Sequence, residues 1–355
     1  MLKKAASLIL ISLFAGMLSG CWDNRDINHR ALPVTMGVSM KGDNYNVLLL
    51  IPEPVENTTR IRLVKGEGKT VTEAIDTISR DMESFVDMLH MKVVVFDKAL
   101  AERGLMDSIS GFMRARDISP KVIVVITDDE INQFFKRSQK TMAPEGTTLY
   151  DCFEKDAGWN PEIALTRVWE VYRSIHSYTR DVAIPIIQAG TKTMIEHNGS
   201  AIIKNGRMVG RISSEETLLM NAFSGESSYG KVEVMNHASV LIVSNTFRNS
   251  SKVVDRTPYM NSKIILKVSL LETRENTNAD LIREELEKVL TLRCDAVIEK
   301  MKANEADVLG LGQFFRNKLP RNELQHWRTE YLPRLKMNFE VRTIIQNEGN
   351  LKMPS

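Results

Sequence analysis

The chain has 355 residues, 43% hydrophobic and 26% charged, with 47 lysines and arginines against 45 acidic residues; this is the balance of a globular protein, not of a disordered or fibrous one. Near-neutral charge without a run of basic residues argues against nucleic-acid binding, which needs a basic footprint, and against a polybasic second membrane signal. The length suits two or three domains.

Lys3 and Lys4 precede an apolar run from Ala5 to Leu18, which ends in Ser19-Gly20-Cys21. This is the tripartite form of a secretory signal, with a core shorter than the roughly twenty residues a helix needs to cross hydrocarbon. Leu18-Ser19-Gly20-Cys21 matches the bacterial lipobox. Its small residues let a peptidase approach the backbone, and only a thiol can form the thioether to a diacylglyceryl group. Cleavage would leave Cys21 as the first mature residue, carrying S-diacylglyceryl and an N-acyl chain such as palmitate. The alternatives are an ordinary cleaved signal with a chance cysteine, or an uncleaved anchor helix. Loss of residues 1–20 removes two lysines and no acid, so the mature chain is formally neutral. The polar stretch Trp22 to Arg30 spans at most about 30 Å when extended, which holds the body close to the membrane.

Val34 to Met40 and Asn46 to Ile51 are apolar runs around Lys41-Gly42-Asp43-Asn44 and predict a hairpin. Pro52-Glu53-Pro54 is expected to stop the second strand. Thr70-Val71-Thr72-Glu73 is a capping box that opens a helix with Val71, Ala74, Ile75, Ile78 and Met82 on one face. Gly66-Glu67-Gly68 before it lacks the spacing of a phosphate loop. Lys92 to Phe96 predicts a strand, Lys98 to Arg103 a helix ended by Gly104, Asp107 to Arg116 a further helix, Lys121 to Thr127 a buried strand, and Glu130 to Gln139 a helix. Pro161 is expected to start a helix carried by Ile163, Val168, Val171 and Ile175, and Val182 to Ile187, with Pro185, to form an edge strand.

Around Asn198-Gly199 the character changes. Ser200 to Ile203 and Met208 to Gly210 flank Asn205-Gly206, which fits the positive φ angles of a type I′ turn. Strands are expected at Lys231 to Val234, Ser239 to Ser244, Lys252 to Val254 and Lys263 to Leu271. Asp280 to Lys302 predicts the longest helix, with a stripe of Leu281, Ile282, Leu286, Val289, Leu290, Val297, Ile298 and Met301 read as core. Short helices around Phe314-Phe315 and Trp327 lead to a closing strand, Met337 to Ile345, that stops near Gly349.

Catalytic spacings are missing: there is no Gly-x-Ser-x-Gly elbow, His-Glu-x-x-His or Ser-x-x-Lys set. Asp128-Asp129-Glu130 sits at a strand-to-helix turn and is read as helix capping. No metal is expected, since none of the six histidines pairs with another His or Cys at ligand spacing. Cys152 and Cys294 are read as two buried thiols in separate regions. Paired carboxylates for glycosidase chemistry stay open from the residues alone, although nothing points to them, and no cofactor is expected.

Several stretches together carry a family resemblance: Cys21-Trp22-Asp23-x-Arg25-Asp26-Ile27, Gly66-Glu67-Gly68-x-Thr70, Met91 to Val95, and Leu100 to Gly104. The second half adds Gly199 to Gly210, Asp307-Val308-Leu309-Gly310-Leu311-Gly312, Trp327 and the strand ending at Gly349. In this order they resemble the Ger(x)C family, the C-subunit lipoproteins of spore germinant receptors, with departures at Leu311 and Ile203. The resemblance implies a three-domain α+β architecture and a lipid-anchored, non-catalytic subunit needed for receptor assembly or signalling in germination. It also implies a location on the outer face of the inner spore membrane, partnered by the membrane-embedded A and B subunits. Only Cys21 carries a defined chemical role.

The expected fold is thus α+β and multidomain, with a signal peptide at 1–20, an N-terminal domain at 21–195 and a C-terminal domain at 196–355, the last possibly divided near 250. A solute-binding lipoprotein of a nutrient uptake system is the alternative, and a secreted envelope hydrolase a more distant one.

Overall fold

The computed structural model describes residues 29–55, 58–138, 148–226, 232–273 and 278–347. The expected signal sequence, Cys21, the polar segment through Asn28 and the expected stop near Gly349 lie outside these residues. Among the described residues one sheet of eight strands and one of four form the two main bodies, beside a small two-stranded sheet.

The first sheet begins after a short strand β1 (Arg30–Ala31). Then β2 (Thr35–Lys41), β3 (Asn44–Val55) and β4 (Thr58–Gly68) form an antiparallel meander that leads into helix α1 (Val71–Asp81). Thr70 caps the helix, Glu73 N donating to its Oγ1 at 3.1 Å, but the expected box is not reciprocal: the Glu73 carboxylate accepts from Lys69 N, one residue before the cap, at 2.7 Å. The glycines before it serve close packing. A Cβ at Gly66 would lie 2.5 Å from the Ala74 carbonyl oxygen, and one at Gly68 2.6 Å from the Ala74 nitrogen.

After β5 (Phe85–Val86), which pairs in parallel with β1, come β6 (Val93–Asp97), α2 (Lys98–Arg103), α3 (Met106–Arg114) and β7 (Ile123–Thr127). Helices α4 (Ile131–Ser138), α5 (Thr148–Asp151) and α6 (Val168–Ile175) precede β8 (Val182–Ala189), β9 (Ile195–Lys204) and β10 (Arg207–Ile212). The sheet order is β10-β9-β8-β7-β6-β2-β3-β4. β2, β6, β7 and β8 run parallel at its centre, and antiparallel hairpins flank them.

Both faces are covered. Met36, Val38, Val94, Phe96, Val124 and Ile126 pack with α1, α2, α3 and α6 on one side, and Leu48, Leu50, Val93, Val95, Ile123 and Val125 pack with Phe134 and Phe135 of α4 on the other. Two-sided burial is why β6 and β7 read as unbroken apolar runs.

Helix α7 (Ser214–Phe223) leads to the second sheet, β11 (Val232–Val234), β12 (Ala238–Val254), β13 (Thr257–Thr273) and β14 (Lys336–Asn347), paired in that order. The last pairing is parallel because α8 (Ala279–Ala303) and the segment after it cross over between β13 and β14. Asn278 caps α8, accepting from Leu281 N at 2.8 Å. Ile282, Leu286, Leu290 and Cys294 lie on the second sheet, whereas Val297, Ile298 and Met301 join a cluster with Ala183, Ile202 and Ile212 of the first. One helix therefore spans both bodies. Leu281 is exposed and Val289 half-buried, so the stripe is narrower than expected, and Cys294 occupies it. The chain is α+β and multidomain.

Several local expectations are corrected. β3 continues through Pro52 and Pro54, paired with Ile61 and Thr59 of β4, a strand that the sequence reading missed. Leu50 O accepts from Val34 N at 2.9 Å, so the nitrogens two and four residues on face the same side, where β2 has already ended. Proline costs no ladder bond there. β8 is an interior strand, not an edge, and its pairing with β9 shifts register between Pro185 and Ile187, a bulge that accommodates the missing N–H. The helix expected from Pro161 begins only at Val168, because Thr166 O accepts from Val124 N and Arg167 bridges Ile123, which keeps the preceding stretch extended beside β7. β12 and β13 fuse the separate strands of the sequence reading into one long hairpin. Its turn, Asp255-Arg256, has φ of 48° and 59° without a glycine. Ile195 is the first residue of β9 and belongs to the first sheet, and residue 250 lies inside β12.

Candidate functional site

A buried polar group lies where the crossover segment after α8 meets the first sheet. Its centre is Asp307, fully buried in Asp307-Val308-Leu309-Gly310-Leu311-Gly312. The carboxylate accepts from Leu311 N at 2.8 Å, Gly312 N at 2.7 Å and Trp327 Nε1 at 2.8 Å. Folding the loop back onto its own aspartate requires its glycines. Gly310 has φ +65°, and a Cβ at Gly312 would lie 2.7 Å from Thr179 Cβ and 2.8 Å from Trp327 Nε1.

Asp181, immediately before β8, completes the junction. Its N–H donates to Asp307 O at 2.8 Å, and its carboxylate accepts from Asp307 N at 2.8 Å. Arg328 clasps that carboxylate at both oxygens, Nε to Oδ2 at 2.8 Å and Nη2 to Oδ1 at 2.7 Å. The same guanidinium donates to Asn205 Oδ1 in the β9–β10 turn at 3.0 Å and to Ser177 O at 2.6 Å. Trp327 stacks between Phe315, at 5.0 Å, and Tyr331, at 6.3 Å. Trp327 to Tyr331 form a π-type turn, a wider winding often found where side chains must be re-aimed.

Burial raises the Asp307 carboxyl to about 6, against the pull of its donors. Burial also holds Asp181 above the usual carboxylate range, outweighing Arg328. Such a pair is weak evidence for net stability, but it is costly to break on one side. The arrangement fixes the angle and register at which the crossover segment meets the first sheet.

A second tie joins β7 to the hairpin. Arg211 Nη1 donates to Asp128 Oδ2 at 2.9 Å with a further contact from Nη2 to Oδ1, and Asn198 Nδ2 adds a bond at 3.1 Å. Burial pushes Asp128 up, but the Arg211 and Asn198 bonds prevail and leave it below the usual range. Of the three acids read as capping, only Glu130 caps α4, accepting from Asn132 N at 3.1 Å and Gln133 N at 2.9 Å. Asp129 accepts from Ala189 N at 2.6 Å, so it joins Asp128 in tying strands together.

Cys21 lies outside the described residues. Cys152 is half-buried beside the α4 side of the first sheet. Cys294 is buried in α8, where burial first and Asp295 second push its thiol up to about 12. His197 is held below its ordinary value by burial and packs edge-on to Phe153 at 5.8 Å. Among the described residues no group of three or more His, Cys, Asp and Glu is placed to hold a metal, and no helix is long and apolar enough to cross a membrane. The sequence singled out Asp307 and Trp327 but missed Asp181 and Arg328. The one available signal for Arg328 was a charge beside Trp327, at a position the helical pattern would bury.

Fold and junction define a multidomain α+β protein in which a sequence signature near the C-terminus locks the crossover segment to an N-terminal mixed sheet. A family model described as spore germination protein N-terminal domain matches residues 23–189, and one described as spore germination B3/GerAC like, C-terminal, matches residues 198–349. The chain belongs to this GerAC-like, or Ger(x)C, family of spore germination proteins. It is 22% identical to spore germination protein KC of Bacillus subtilis (strain 168), over 98% of this chain and 97% of that protein. It is 23% identical to spore germination protein A3 of the same strain, over 94% and 95%. The crystal structure of the GerBC protein superposes with a TM-score of 0.57 at 16% identity, covering 91% of this chain and all of that one; that likeness shows the fold.

Proposed function

We propose that this chain is the lipid-anchored, non-catalytic C subunit of a spore germinant receptor, held through Cys21 on the outer face of the inner spore membrane and acting in assembly or signalling with the A and B subunits. The observation that carries the reading is the family match across both halves of the chain, together with a lipobox placed directly before the first matched residues. The buried acids and arginines support a structural role, because each is engaged by backbone donors or by a partner side chain that fixes one element against another. In sequence the working units are 21–195 and 196–355, the second contributing β10 and all of β9 but Ile195 to the sheet of the first.

Replacing Cys21 with Ala removes the acceptor thiol. The expected result is a precursor that is neither lipidated nor retained through acyl chains, and spores slow to respond to nutrient. Normal lipid labelling and normal germination in that variant would overturn the reading. A solute-binding lipoprotein predicts two similar α/β lobes around a cleft. The second body is instead built on a long antiparallel hairpin with one parallel strand added, a topology unlike that of the first sheet.

A further inference from the structure

On the solvent side of the junction is an open cleft of about 1050 Å³. One wall is the end of α6 and the loop to β8, the other the segment from Gln313 to Leu324. Arg173, Arg180, Arg316, Arg321 and His176 line it, and no Asp or Glu does. In a chain with nearly equal numbers of acids and bases, such a concentration of one sign is unusual. Arg180, Arg316 and Arg321 have no carboxylate within 4.0 Å among the described residues, while Arg173 has only Glu170, at 4.0 Å. Burial, and then the charge of Arg180, hold Arg173 below its ordinary value, so the guanidinium charges are close enough to repel.

The walls are pinned. Gln313 Nε2 donates to Thr179 Oγ1 at 2.5 Å and to Thr179 O at 3.3 Å, which bridges the two sides. Thr179 and Arg180 directly precede Asp181, so the buried junction fixes the backbone behind them. Four arginines lining one open cleft, Arg173 among them stacked on the Trp169 ring at 4.7 Å, suit a ligand with several charged oxygens, since a planar guanidinium fork can donate two parallel hydrogen bonds to a carboxylate or phosphate. The volume stands at the upper limit of small-molecule sites, about 1,000 Å³.

We propose that this cleft is a binding site for a multivalent oxyanion bearing phosphate or carboxylate groups, whether a soluble metabolite or an anionic lipid headgroup. The proposal stands apart from the receptor reading, since it rests on the charges and geometry of the cleft alone.

The test uses the full chain in non-ionic detergent at low salt, titrated calorimetrically with pyrophosphate and with citrate. The expected result is one site per chain for at least one of them, weakened roughly tenfold or more in the double variant Arg316→Gln/Arg321→Gln, as loss of charge-assisted hydrogen bonds implies. Lys267→Gln, on the second sheet, should leave binding unchanged. Both arginines are exposed and outside the junction, so the ligand-free melting temperature of the double variant should match that of the parent. A parallel flotation assay compares phosphatidylcholine vesicles with and without phosphatidylglycerol. An anionic preference lost in the double variant, without binding of the soluble anions, assigns the headgroup as the source; binding of the soluble anions alone assigns a metabolite. Failure to bind either soluble anion together with no anionic vesicle preference, or equal binding by parent and double variant, overturns the proposal.

Discussion

Replacing Arg328 with Met tests the junction at its most exposed assumption, that the Asp181–Arg328 pair holds the crossover segment in place. Methionine keeps most of the side-chain volume but removes both bonds to Asp181 and those to Asn205 Oδ1 and Ser177 O. The Asp181 side chain is wholly buried and that of Arg328 nearly so, which leaves an uncompensated charge in the interior. A one-sided break of this kind costs about 3–5 kcal/mol, a large fraction of the roughly 5–15 kcal/mol that stabilises a domain.

Urea unfolding followed by circular dichroism and tryptophan fluorescence measures the loss. The double variant Asp181→Asn/Arg328→Met should recover part of it, because no buried charge remains. The pH dependence gives an independent check. Asp181 already sits above the usual carboxylate range, and removing Arg328 raises it further. The folded state then binds a proton that the unfolded state does not, so stability rises as pH falls and is lost as pH rises through the folded value. The deficit of the single variant should therefore be greatest at neutral pH and narrow toward pH 5. A loss under about 1 kcal/mol, well below the range for buried pairs, or a deficit that widens on acidification, refutes the reasoning.

Two other consequences concern packing and thiol chemistry. Gly68→Ala places a Cβ against the backbone of α1, 2.6 Å from Ala74 N, and should cost about 1–3 kcal/mol in urea unfolding through forced displacement of the helix; a neutral result would mean that α1 does not sit on β4 as described. Cys294, buried and with its thiol raised to about 12, should resist iodoacetamide at pH 8 in the folded chain and react after unfolding. Mass spectrometry of the alkylated peptide decides this, and rapid native labelling would contradict the packing of α8.

Most of what the sequence revealed concerned local physics. The unbroken runs of β6 and β7, the Thr70 cap, Gly104 after α2 and the Asn205-Gly206 turn each carry their conformation in adjacent residues, and each forms. β4 escaped notice because its apolar residues Ile61 and Leu63 alternate with Arg60 and Arg62, directly after two prolines that normally end a sheet. The Asp255-Arg256 turn escaped because positive φ at both residues is enforced by the long hairpin around it, not by glycine. The junction was half legible. Asp307 and Trp327 fall in a recognisable signature, whereas Asp181 and Arg328 are 147 residues apart and pair only once both sheets have formed. The basic cleft has the same origin, since its arginines come from two distant segments that the junction brings face to face. Charge counted along the chain gave no hint of it.

The central claim is that this chain works as part of a membrane receptor complex. Its most direct test is affinity purification of the tagged, lipidated protein from inner membranes of spores, solubilised in mild detergent and analysed by mass spectrometry. The account predicts recovery of the A and B receptor subunits in proportion to the tagged chain. Recovery of the chain without them, or with the components of a nutrient uptake system instead, would contradict it.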